Sequence, residues 1–98
     1  MNIQQEDING AGRFCIQENN DTVAEMDYQS ANGHTLVIVH TEVDDRLAGK
    51  GVGKQLVSAA VDYARLHALQ LKATCPFASK VLSRTPEFAD DYIAEKNN

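Results

Sequence analysis

The chain predicts an α/β domain with a mixed sheet, an antiparallel meander followed by one parallel βαβ unit. Three observations carry that expectation. Polar and apolar residues alternate along residues 22–30, the pattern of a strand covered on one side. The apolar run Leu36-Val37-Ile38-Val39 follows a hairpin signal at Asn32-Gly33. A helical stripe then opens directly after alternate glycines at 49, 51 and 53, and a further strand pattern lies behind it.

The first strand falls at about residues 12–17 and ends at the turn signal Asn19-Asn20-Asp21. The second, residues 22–30, sets Ala24, Met26 and Tyr28 on one face and Glu25 and Asp27 on the other. The third, residues 34–42, has a continuous apolar middle and is expected to be buried on both faces, which requires helices to cover it. A helix follows over about residues 52–67, with Val52, Leu56, Ala60, Tyr63 and His67 recurring at spacings of three and four. His67 reads as structural, at the edge of that stripe and near the negative end of the dipole. In the fourth strand Leu69, Leu71, Ala73 and Cys75 alternate against Gln70, Lys72 and Thr74, and Pro76 stops it. A second helix covers residues 77–84, and Thr85-Pro86-Glu87 offers an N-cap and first-turn proline for a short third one. The order is β-β-β-α-β-α, with a right-handed crossover between the last two strands.

The chain has 98 residues, enough for one core and too few for two, so residues 1–98 read as a single domain. The longest apolar run is far too short to span a bilayer. Gln4, Gln5, Glu6 and Asp7 offer neither a basic start nor an apolar segment, so no signal peptide is visible and a cytoplasmic location is the default. Nine basic against fourteen acidic residues give a net charge of −5, which argues against a nucleic-acid partner. No membrane partner is expected. The two cysteines and three histidines have no metal-ligand spacing, and His34 reads as a turn residue. Cys15, inside Arg13-Phe14-Cys15-Ile16, reads as a small packing residue, and both cysteines are expected as thiols.

The segment Arg46-Leu47-Ala48-Gly49-Lys50-Gly51-Val52-Gly53-Lys54 joins the apolar strand to the helix. Glycine admits close approach to a ligand, and the first turn of a helix has N–H groups without internal partners. Those donors and the positive end of the dipole suit a phosphate-bearing ligand, with Lys50 and Lys54 adding charge at the rim. An ordinary glycine-rich turn is the plainer alternative. A P-loop is rejected: Gly53-Lys54 fits, but Ala48 replaces its first glycine and Gln55 its magnesium-binding hydroxyl. Cys75 stands at a strand end before Pro76, at or beside a helix N-cap, where a thiolate is stabilised; a buried strand-end cysteine fits equally well. His40, at the end of the apolar run, is either a proton acceptor near neutral pH or a satisfied core histidine.

His40-Thr41-Glu42-Val43, Gly49-Lys50-Gly51-Val52-Gly53 and Leu56-Val57 together resemble the acetyl-coenzyme A motif of the GNAT superfamily of N-acetyltransferases, [QR]-x-x-G-x-[GA]. Aligned on Gly51 and Gly53, the Gln/Arg position holds Ala48, while Arg46 satisfies the written pattern two residues earlier. Cys75-Pro76-Phe77-Ala78 with Pro86-Glu87-Phe88 looks like the signature of a short, single-domain branch of that superfamily. The resemblance covers residues 33–92. It implies acetyl-coenzyme A as cosubstrate, its pyrophosphate on the amides of Ala48, Gly49, Lys50, Gly51, Val52 and Gly53 with Lys54 beside them, and its pantetheine arm along Glu42 and Val43. It also implies Cys75 as the catalytic residue, to which the sequence adds His40 as a proton acceptor. The acceptor would be an amine, such as a protein lysine or N-terminus, reached by a monomer or completed by a homodimer. The alternative reading is a non-catalytic coenzyme A-binding sensor or interaction module with the same fold.

Overall fold

Asparagine sets most of the corners. Asn9, Asn19, Asn20 and Asn32 all adopt positive φ, with Gly10 and Gly33 completing two of the turns. The computed structural model describes residues 2–88, and between those corners run β1 (Gln4–Ile8), β2 (Ala11–Glu18), β3 (Asp21–Ala31) and β4 (Thr35–Val43). A 3-10 turn (Asp45–Leu47), α1 (Val52–Leu66), β5 (Gln70–Ala73), α2 (Pro76–Arg84) and a second 3-10 turn (Pro86–Phe88) follow. The sheet order is β1-β2-β3-β4-β5, antiparallel up to β4, with β5 parallel to β4. Thr85-Pro86-Glu87 opens only that second 3-10 turn, and the resemblance block beyond Phe88, to Tyr92, lies outside the described residues.

The mixed sheet and the parallel βαβ unit are as expected, and β1 is an additional strand. Its five residues, Gln-Gln-Glu-Asp-Ile, are all exposed and carry no apolar periodicity. Tertiary partners hold it instead. Tyr28 Oη accepts from Gln5 Nε2 at 2.8 Å and donates to Asp7 Oδ2 at 2.7 Å, its ring passing over Gly12 of β2.

Phe14, Met26, Tyr28, Leu36 and Ile38 form the sheet side of the core. The α1 side supplies Val52, Leu56, Val57, Ala60, Val61 and Ala64, a broader band than the expected stripe. Tyr63 sits at its margin, 6.0 Å from the Phe14 ring, and His67 is the exposed C-cap stacked 4.3 Å from Tyr63. α2 runs alongside α1, with Phe77 against Gly53 at one end and Arg65 Nη2 donating to Glu87 O at 2.6 Å at the other.

One expectation needs correction. β4 is central in hydrogen bonding but not buried on both faces: Leu36 and Ile38 are covered, while Val37 and Val39 are half-buried. A β-bulge ends the run. Asp27 pairs with His40 and Tyr28 with Ile38, so Val39 is the extra residue. Beyond the bulge the side-chain alternation changes phase, and Thr41 and Val43, opposite the buried Met26 and Ala24, take the core side.

Candidate functional site

Two features of the backbone create the site. Pairing of β4 with β5 ends at Ile38 and Ala73, while β4 continues to Val43. The edge of β4 beyond the bulge is thereby released from β5. Ile38 O closes the end of the pair, accepting from Thr74 N at 2.9 Å and Cys75 N at 3.3 Å.

The second feature is the loop from β4 to α1. Asp44 Oδ1 accepts from Arg46 N at 2.9 Å and lies 3.2 Å from Arg46 Nε, which fixes the 3-10 turn. These contacts, the backbone amide foremost, hold the Asp44 carboxyl below its ordinary pKa. Leu47 is buried and anchors the turn in the core. Gly51 then takes a left-handed conformation (φ 71°) as N-cap of α1, a geometry a side chain disfavours.

The loop amides divide into two sets. Those of Ala48 and Lys50 already donate to Asp45 O (3.0 Å) and Leu47 O (3.2 Å). Helical bonding begins with Gln55 N to Gly51 O at 3.1 Å, so the N–H groups of Val52, Gly53 and Lys54 have no partner within the helix. Lys50 and Lys54 are exposed beside them. A cavity of about 370 Å³ opens here, lined by Val43, the loop, Phe77 and Val81. Gly53 allows its narrow wall, because a Cβ there would collide with the Phe77 ring. Open donors, a dipole terminus and two lysines fit a pyrophosphate, and the apolar wall fits an acyl-thioester arm.

Cys75 is the N-cap of α2, with Pro76 at the first helical position, and its side chain makes no capping hydrogen bond. It is 6% exposed, and Sγ donates to Thr41 Oγ1 at 3.4 Å. His40 goes elsewhere. The bulge turns it to the open face, where its side chain is 58% exposed and Nε2 lies 3.8 Å from Glu42 Oε2. Neighbouring positions of a pleat point to opposite faces, so the structure does not bring His40 to Cys75. Burial, then the neighbouring Glu25, push the Asp27 carboxyl up, while His40 in register with it acts in the other direction. Glu42 and Val43 also line a second cavity of about 450 Å³ with Glu25, Asp44 and Asp45, and Val43 is common to the walls of both.

Cys15 is fully buried, and burial pushes its thiol pKa up, consistent with a packing role. Among the described residues both cysteines are free, no group of side chains could hold a metal ion, and no helix is long and apolar enough to cross a membrane. Thr41 is the site residue that the sequence left without a role; only the bulge, which has no residue signature, would have pointed to it.

A family model described as GCN5-related N-acetyl-transferase matches residues 13–92. Protein NATD1 of Xenopus tropicalis is 32% identical over 59 residues, a match spanning 60% of this chain and 54% of that protein. The NMR solution structure of a GCN5-like candidate N-acetyltransferase from Staphylococcus aureus superposes with a TM-score of 0.72 at 32% identity, covering 97% of this chain and 92% of that one. The ribosomal-protein-alanine N-acetyltransferase from Brucella melitensis biovar Abortus 2308 shares the fold, with a TM-score of 0.68, 17% identity, and 93% and 66% of the two chains covered.

Proposed function

Because the chain belongs to the GCN5-related N-acetyltransferase family, we propose that it transfers an acetyl group from acetyl-coenzyme A to an amine, a protein lysine or N-terminus. The observation that carries this reading is the pairing of a released β4 edge, from Val39 to Val43, with the unpartnered first-turn amides of α1. The edge would hold the pantetheine arm along Glu42 and Val43, and the pyrophosphate would rest on Gly49, Gly51, Val52, Gly53 and Lys54, with Ala48 and Lys50 shaping the turn through their own hydrogen bonds. Acetyl-coenzyme A supplies the activated acetyl thioester. The chain's own contribution is to orient it and present Cys75 at the start of α2.

The amine would approach over the open face. Glu25, Glu42, Asp44 and Asp45 around the second cavity favour a cationic approach, and His40 stands on that face beside Glu42, where it would meet the incoming amine before it reaches the thiol side. A reduced cytosolic setting suits a reaction that needs a free thiol. The separation of His40 from Cys75 favours the second reading, a coenzyme A-binding module without turnover, since among the described residues the thiol meets a hydroxyl and not an acid–base pair.

An amide NMR titration with acetyl-coenzyme A tests the site first. Saturable shifts at Gly49, Gly51 and Gly53 with a change near Cys75 are expected; their absence at about millimolar ligand removes the proposal. Turnover by the parent and its loss in Cys75→Ala separates the enzyme from the binding module.

A further inference from the structure

We propose that Thr41 is a positioning residue for Cys75, its hydroxyl fixing the orientation of the thiol and stabilising the thiolate; this rests on the reading of Cys75 as the acting thiol. The bulge carries the inference. With regular pairing through Val39, the alternation that buries Leu36 and Ile38 would continue to His40. The extra residue instead sends His40 to solvent and presents Thr41 on the side where Cys75 lies. A single register shift thus exchanges an imidazole for a hydroxyl at that thiol.

Cys75 is held from two directions. Its backbone N–H is tied to Ile38 O at 3.3 Å, and its Sγ reaches Thr41 Oγ1 at 3.4 Å, on the far side of the bulge from Ile38. Because Sγ makes no capping bond to α2, its polar partner is the β4 hydroxyl. Threonine suits the task. A β-branched side chain is stiff at χ1, so the oxygen stays aimed, and a hydroxyl accepts from a thiol yet donates to a thiolate. It therefore serves both protonation states without gaining or losing charge.

The step it would assist balances without an oxidant or reductant. A bond forms between Cys75 Sγ and the acetyl carbonyl carbon as the coenzyme sulfur–carbon bond breaks. The proton given up by Cys75 ends on the departing coenzyme sulfur.

The test is the rate of iodoacetamide alkylation at Cys75, read on its own peptide by mass spectrometry, in the parent, Thr41→Val and Thr41→Ser. Losing a hydrogen bond to an ionised group should slow Thr41→Val about tenfold, and serine should restore most of the rate. Thiolate ultraviolet absorbance should follow the same order. Alkylation and absorbance in Thr41→Val equal to the parent overturn the proposal, as does failure of serine to recover either signal. If valine prevents folding, Thr41→Ala against Thr41→Ser makes the same comparison. Alkylation needs no coenzyme, so it reports on Thr41 even if Cys75→Ala retains full turnover, an outcome that sinks the catalytic reading of Cys75 instead.

Discussion

The loop into α1 and the hairpin that begins with β1 are stabilised in opposite ways. In the loop a single side-chain cap, from Asp44, sets the 3-10 turn and backbone conformation does the rest: Gly51 turns left-handed, and the first amides of α1 have no partner within the helix. In the hairpin, side chains reinforce the backbone pairing of β1 with β2. Tyr28 reaches across Gly12 to Gln5 and Asp7, and Arg13 Nε bonds Glu6 Oε1 at 2.7 Å. A region shaped by backbone keeps its polar groups available for a ligand, whereas a region shaped by side chains spends them on itself. Changes in the hairpin should therefore register as stability, and changes in the loop as affinity.

The largest expected effect lies in the hairpin. Burial pushes the Tyr28 phenol up from 10.0 to about 12, with Asp7 adding to the rise and Gln5 opposing it. A folded pKa above the unfolded one stabilises the fold fully below about pH 10, and this is lost as pH rises towards 12, because the unfolded chain ionises first. Two units correspond to roughly 2.7 kcal/mol, of which about 1.4 kcal/mol should be gone by about pH 11. Denaturation of the parent and Tyr28→Phe at about pH 9 and about pH 11 isolates this contribution: the parent should lose more, and coenzyme affinity at neutral pH should be equal in both. Equal losses would mean that the phenol is not the alkaline weak point.

Gly51→Val tests the other half. A Cβ at this position meets nothing within 4 Å, and the left-handed backbone adds strain of about 1–2 kcal/mol. If the loop relaxes to relieve that strain, the first amides of α1 swing away and acetyl-coenzyme A affinity should fall about tenfold, a change calorimetry resolves. Full affinity in a strained variant would break the division between the two regions.

The same division explains what the sequence conveyed. Glycine spacing announces special backbone geometry, so the loop and the start of α1 at Val52 were legible, as was Cys75 at the N-cap of α2. β1 was not, because Gln-Gln-Glu-Asp-Ile becomes a strand only through partners on β2 and β3. The bulge was equally hidden. Residues 34–42 read as one uninterrupted strand, and the register shift that exposes His40 and turns Thr41 inward is decided by how β3 and β4 meet. The sequence therefore conveyed the loop and the start of α2 but left the direction of His40 open, and the bulge decides it.

The smallest expected effect is Gly53→Ala, where backbone and side-chain determinants meet. Alanine favours a helix over glycine by about 1 kcal/mol, but its Cβ would press on the Phe77 ring. That ring belongs to a residue that is 43% exposed, so it can swing outward, and the two terms should nearly cancel in the melting temperature. The cavity will not be neutral. Gly53 and Phe77 both line it, and a displaced ring changes its width where the thioester arm would lie. A few-fold loss of acetyl-coenzyme A affinity with an unchanged melt is the expected result. A large drop in stability would show that Phe77 is fixed by packing rather than by the ligand path. Unchanged affinity would move the arm out of this cavity and leave the released edge of β4 to hold it alone.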